Sequence, residues 1–190
     1  MRWLSRLSNA ILALEKRLIT LLAAILVLLI LLNVVTRSAG KALFWVDELA
    51  VYTMVWMVLI GASVMVRLRL GIAVTLVTDL LPGGLKRAVA RVADAVLLGF
   101  AVALLVLCWI WYDPVALVQA GFDLDRFALD NFKFIYTEPT STIGVAKFWV
   151  WLAVPLMSIG MSVHALANLV EGPPAGGAAA DPGSRPLSEA

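Results

Sequence analysis

Four long apolar runs, separated by polar punctuation, dominate the chain. Residues 18–36 run for 19 positions without a charge. At ~1.5 Å of rise per helical residue this run is about 28 Å long, close to the ~30 Å hydrocarbon core of a bilayer. The second run, residues 49–66, contains Trp56 and Gly61 and is preceded by Phe44, Trp45 and Val46. The third, residues 92–112, closes on Trp109, Trp111 and Tyr112, and the fourth, residues 148–170, opens with Phe148, Trp149 and Trp151. Aromatic residues at the ends of apolar runs are the expected interfacial belt of membrane helices. The pattern therefore predicts an all-α integral membrane fold with four transmembrane helices.

Four further segments follow other rules. In residues 1–17, Trp3, Leu4, Leu7, Ile11 and Leu14 recur at helical spacing, with Arg2, Ser5, Arg6, Ser8 and Asn9 placed elsewhere. This predicts an amphipathic helix on the membrane surface. A signal peptide fits less well, because the following apolar run exceeds the usual ~7–15 residues. Residues 70–81 place Gly71, Thr75, Thr78 and Asp79 on one face of a second interfacial helix, ended by Pro82-Gly83-Gly84. A re-entrant segment is the alternative there. The loop over residues 113–147 carries five aromatic residues between positions 122 and 136, too many for a disordered linker. Phe132, Phe134 and Tyr136 alternate like a short strand. The Gly-, Pro- and Ala-rich stretch over residues 171–190 predicts a disordered tail.

Composition excludes a soluble domain. Of 190 residues, 62% are hydrophobic and 15% charged, against about half and a quarter in soluble proteins. The net charge of +2 decides little, and nothing points to a nucleic-acid partner. The distribution of charge says more. Residues 1–17 carry four Lys or Arg, and the link between the second and third runs carries Arg67, Arg69, Lys86, Arg87 and Arg91. The other two connections are less basic, and the long one holds Asp113, Asp123, Asp125, Asp130 and Glu138. The positive-inside rule then places both termini and the second link in the cytoplasm, and residues 113–147 in the periplasm.

Candidate chemistry is sparse. Cys108 is the only cysteine and His164 the only histidine. One chain thus offers neither a disulfide nor a bis-histidine haem site, and no cofactor is expected. Asp94 and His164 are the candidate intramembrane polar groups. A helical pair with Arg91 suits Asp94, and an interhelical or interfacial hydrogen bond suits His164, better than a proton site or a pH switch does. Asp123, Asp125 and Asp130 lack the spacing of a calcium loop. No phosphate loop, nucleophile elbow or zinc motif occurs, and no catalytic residue is expected. Small residues at Gly61-Ala62-Ser63, Gly99 with Ala103, and Ser158 with Ser162 suit close helix packing.

Asn33-x-x-x-Arg37, the Trp45-x-Asp47-Glu48-Leu49 corner, Trp56 with Gly61-Ala62, Arg67, and the segment ending Asp79-Leu-Leu-Pro82 occur in that order. With Thr142-Ile143-Gly144, Trp149 and Pro155, they resemble the small membrane subunit of TRAP transporters, the DctQ-like family, over roughly residues 18–170. Gly71-Ile72 stands where that family commonly has a His-Ile pair, and the 113–147 loop is longer than its usual connection. The resemblance implies a non-catalytic subunit in a bacterial inner membrane. Its partners would be a large elevator-type membrane subunit and a periplasmic binding protein, in sodium-coupled uptake of an organic acid. It also implies that Asn33, Arg37, Trp45, Asp47, Glu48, Trp56, Gly61 and Arg67 form a structural corner or subunit interface. Within that corner, Arg37 is expected to pair with Asp47 or Glu48. The alternatives are a membrane anchor of another complex, which would want paired histidines, and a self-contained homo-oligomeric transporter, which would want a mid-membrane carboxylate.

Overall fold

The computed structural model describes residues 2–70 and 82–172. The interfacial helix expected over residues 70–81 lies, but for Leu70, outside the described residues, as do Gly71 and the tail beyond Gly172. Among the described residues there are seven helices and no strand. Four helical stretches are long and apolar enough to cross a membrane.

Helix α1 spans Arg2–Ser38 without interruption, a length of about 55 Å. The surface helix expected over residues 1–17 is thus continuous with the first span. The physical reason is in the sequence: no Gly or Pro falls between Trp3 and Ser38, and Glu15-Lys16-Arg17 are good helix formers. The stop comes at Gly40, whose φ of +72° suits a residue without a Cβ. Helix α2, Phe44–Leu68, ends on Arg69 in the left-handed region. Helix α3, Gly83–Tyr112, follows Pro82. Two short helices follow, α4 over Pro114–Gln119 and α5 over Leu124–Asn131. The last span is split into α6, Phe148–Trp151, and α7, Ala153–Glu171. Pro155 stands just beyond the break, where it cannot donate a backbone hydrogen bond to Trp151.

Helices α2 and α7 pack on each other, with α1 mainly against α2 and α3 mainly against α7. The apolar centre joins Val66, Ala101, Met161 and Ala165 from α2, α3 and α7. A second cluster, at the end of α3, joins Cys108, Tyr112 and Ile135 with Tyr136, Phe148 and Val154.

In the first turns of α1, Trp3, Leu7 and Leu14 are exposed outside the bundle, where an apolar face against lipid would lie, whereas Ser8 and Glu15 are buried with Leu29. Ser8, Glu15, Leu22 and Leu29 recur every seven residues, the period of a helix lying along a neighbour. The strand-like alternation near residue 134 also has another outcome. Phe132 takes a left-handed backbone, Phe134 opens a turn that accepts from the Thr137 and Glu138 amides, and both rings are exposed. No shared buried face exists there to stabilise a strand.

Candidate functional site: polar locks at the bundle ends

The corner between α1 and α2 is built by one helical turn facing another. Asn33 and Arg37 lie four apart on α1, hence on one face. Arg37 Nε donates to Asn33 Oδ1 at 2.8 Å, and Arg37 Nη2 donates to Asp47 Oδ2 at 2.5 Å. Asn33 Nδ2 also donates to Asp47 Oδ1. Of the two partners expected for Arg37, the structure selects Asp47. Both side chains of the pair are substantially exposed, at 56% and 39%.

Glu48 does something else. Its carboxylate accepts from the backbone amides of Ser141, Thr142 and Ile143 at 2.7, 2.6 and 3.1 Å. The Thr142 and Tyr52 hydroxyls donate to it at 2.5 and 2.6 Å. Three successive amides converge because the chain turns through Gly144 at φ +77°. Glu48 therefore fastens the segment leading into α6 onto the start of α2.

The opposite end of the bundle is closed by two arginines. The Arg67 side chain is only 10% exposed. It donates to Asn9 of α1 at 2.8 Å, to Asn168 at 2.8 Å and to Glu171 at 2.8 Å, both on α7. Asn168 Nδ2 in turn donates to the Val66 carbonyl at 2.7 Å. Arg69 pairs with Asp94 of α3 at 2.7 Å and donates to the Asn168 carbonyl at 2.8 Å. This corrects the expected partner of Asp94, which is Arg69 and not Arg91. The left-handed turn at Arg69, φ +53°, sends its side chain across the bundle, while a pair within α3 would leave Asp94 turned away from the buried contact it makes.

Between the ends lies a buried polar line that spacing along the chain does not reveal. His164 is fully buried. Its Nδ1 lies 2.7 Å from Ser8 Oγ and its Nε2 lies 3.0 Å from Glu15 Oε2. All three groups are satisfied when Ser8 donates to Nδ1 and Nε2–H donates to the carboxylate. Glu15 Oε1 and Ser63 Oγ both approach Gly160, where an added Cβ would sit 2.6 Å from each. The hydroxyl of Ser63 is buried without a hydrogen-bond partner among the described residues. Ser8 and Glu15 lie on one buried stripe of the seven-residue seam of α1, a stripe that only the packing picks out.

The remaining site candidates stay open to their surroundings. Trp45 is exposed and Trp56 half-buried. Among the described residues, nothing lies within 4 Å of a Cβ added at Gly61 or Gly99, so neither serves close packing between the described helices. Among the acidic loop residues, Asp123 caps α5 through the Arg126 amide at 3.0 Å and Asp130 pairs with Arg126. Among the described residues, no three His, Cys, Asp or Glu side chains converge as metal ligands. Burial pushes the Tyr136 hydroxyl above its ordinary pKa, with the nearby Asp113 carboxylate adding to the effect.

Four helices long and apolar enough to cross a membrane, tied at both ends by polar side chains, define an integral membrane protein of the helical-bundle class. The chain belongs to the DctQ component family of tripartite ATP-independent periplasmic (TRAP) transporters, whose family model matches residues 26–173. It is similar to the C4-dicarboxylate TRAP transporter small permease protein DctQ of Vibrio cholerae serotype O1, with 31% identity over 130 residues. That alignment covers 68% of this chain and 56% of the relative, so the chain spans little more than half the length of that protein. No solved structure matches. The family match takes in the corner, both arginine clusters and His164, whereas Ser8, Asn9 and Glu15 precede it.

Proposed function

We propose that this small permease subunit is a static frame for the large, moving membrane subunit of a TRAP transporter. The observation that carries the reading is the Arg67 cluster. One nearly buried guanidinium holds α1, α2 and α7 together, and Asp47 and Glu48 close the other end. An elevator mechanism needs a wide fixed element in the bilayer for the moving part to slide against, and a bundle pinned at both ends suits that need. Trp45 and Trp56, eleven positions apart and so on one face of α2, are the surface offered to the large subunit. The basic segments before and after the first two spans favour a cytoplasmic location for both termini.

In this reading a periplasmic binding protein delivers an organic acid and the large subunit moves it with sodium. The name of the Vibrio relative makes a C4-dicarboxylate the first substrate to try. Proteoliposomes holding both membrane subunits, with the binding protein added, are expected to accumulate labelled dicarboxylate only under an inward sodium gradient. Omitting this chain is expected to abolish uptake. Undiminished uptake without it, or transport by this chain alone, would overturn the proposal.

A further inference from the structure

The segment between α3 and α6 spends conformational strain to display aromatic side chains. Phe122 and Phe132 flank α5 at either end, and both take left-handed backbone conformations, at φ +62° and +53°. Bulky residues rarely adopt this region, and its usual occupant at a helix end is glycine. Burial within the chain does not offset the strain, because Phe122 is 67% exposed and Phe132 is 84% exposed. Leu129, on the outward side of α5, is 72% exposed. The same helix is anchored from beneath, where Phe127 is fully buried and stacks edge-on against Tyr136, 5.4 Å between centroids.

Position along the chain says what covers these groups. The segment leaves the end of α3 at Asp113, which turns at φ +42° and accepts from the Ala116 amide to start α4 at once. It returns to the same place. Lys133 Nζ donates to the Ile110 carbonyl at 2.7 Å and to Asp113 Oδ2 at 2.6 Å, and the Tyr136 hydroxyl donates to the Tyr112 carbonyl at 2.8 Å. Both ends of the excursion are thus tied to the last turn of a transmembrane helix. That turn also presents exposed Trp109 and Trp111, the aromatic belt that marks the lipid headgroup layer. Most of the segment's charge is used within it: Lys133 is held by Asp113, Arg126 is paired with Asp130 and Asp123 is used as a cap, while Asp125 is exposed in the first turn of α5.

We infer that the α4–α5 segment is an in-plane membrane anchor, with Phe122, Leu129 and Phe132 inserted into the headgroup and upper acyl layer of the leaflet at the α3 end. The inference rests on the membrane-spanning bundle and not on the transporter mechanism. It assigns lipid, rather than a soluble partner, as the occupant of this apolar patch. The anchor fixes the tilt of the bundle by extending the aromatic belt sideways from α3.

Site-directed spin labelling tests it. The full chain, with Cys108→Ala, is placed in vesicles of phosphatidylethanolamine and phosphatidylglycerol, and a nitroxide is attached at Phe122→Cys or Phe132→Cys. Labels at Trp109→Cys and Asp130→Cys serve as lipid and water references. Accessibility to oxygen, which concentrates in the bilayer, is compared with accessibility to a water-soluble nickel chelate. Both test labels are expected to match position 109, with oxygen favoured over the chelate at least tenfold more than at position 130. Values matching position 130 would overturn the anchor. So would labels that become shielded from both reagents when the large subunit and binding protein are present, which would make the patch a protein interface. Each position decides by itself, so a variant that fails to fold leaves the other to answer.

Discussion

At the scale of single residues, the most crowded glycine among the described residues is Gly160. An added methyl there would meet the Glu15 carboxylate and the Ser63 hydroxyl at 2.6 Å each, and the Glu15 carboxylate is already tied to His164. Gly160→Ala is expected to destabilise the detergent-solubilised protein by about 1–3 kcal/mol, the usual cost of overpacking. Gly61→Ala and Gly99→Ala, which meet nothing within 4 Å, are expected to leave its thermal midpoint unchanged. A drop of equal size in all three variants would show that the cost is general to glycines in these helices. His164→Phe is a second test. It keeps bulk but leaves Ser8 and Glu15 without their shared partner, at a cost of about 1–3 kcal/mol for stranded buried polar groups. That His164 makes an interhelical hydrogen bond was readable from its lone position in an apolar span. Its partners were not, because Ser8 and Glu15 sit among charged neighbours that mimic a solvated face. Only packing reveals which side of α1 is turned inward.

At the scale of elements, the two arginine corners differ in burial and so in weight. Arg37→Ala removes a pair that is more than half exposed on the arginine side, and exposed pairs contribute about 0–1 kcal/mol. Arg67→Ala removes a nearly buried guanidinium that serves three helices, although its partner Glu171 is 36% exposed, so its cost is expected to lie between that of an exposed pair and the about 3–5 kcal/mol of a buried one. Thermal midpoints of the two variants are expected to fall in that order, and the reverse order would mean that the Arg67 cluster is not a lock. Glu48 tests a different link. Glu48→Ala leaves the Ser141, Thr142 and Ile143 amides without their acceptor, so hydrogen exchange over residues 138–146 is expected to rise while that of α3 stays unchanged. That Arg37 pairs with an acid of the corner could be seen in the sequence because a short link brings those helix ends together, but the choice of Asp47 over Glu48 could not. The pairing of Asp94 with Arg69 could not. Arg91 offered a nearer partner along the helix, and the left-handed turn that redirects Arg69 has no glycine to announce it.

At the scale of the whole molecule, the four spans and their order were legible because a ~30 Å apolar slab imposes a run length that few other folds produce. The continuity of α1 was not, since a change from amphipathic to apolar composition reads as a boundary even where no residue breaks the helix. That continuity bears on the mechanism. Helix α1 carries the corner at one end and the Asn9 and Glu15 contacts near the other, so the locks at the two ends of the bundle are joined by one continuous helix. A frame of this kind should tolerate being frozen. With Cys108→Ala as background, cysteines replacing Asn33 and Asp47 can be joined by a short bismaleimide, and so can cysteines replacing Asn9 and Glu171. In the reconstituted three-component transporter, both linked forms are expected to retain the uptake rate of their unlinked parents within about twofold. If linking either end stopped uptake while the complex stayed assembled, the bundle would have to flex during the cycle. The small subunit would then be a moving part and not the fixed wall against which another part moves.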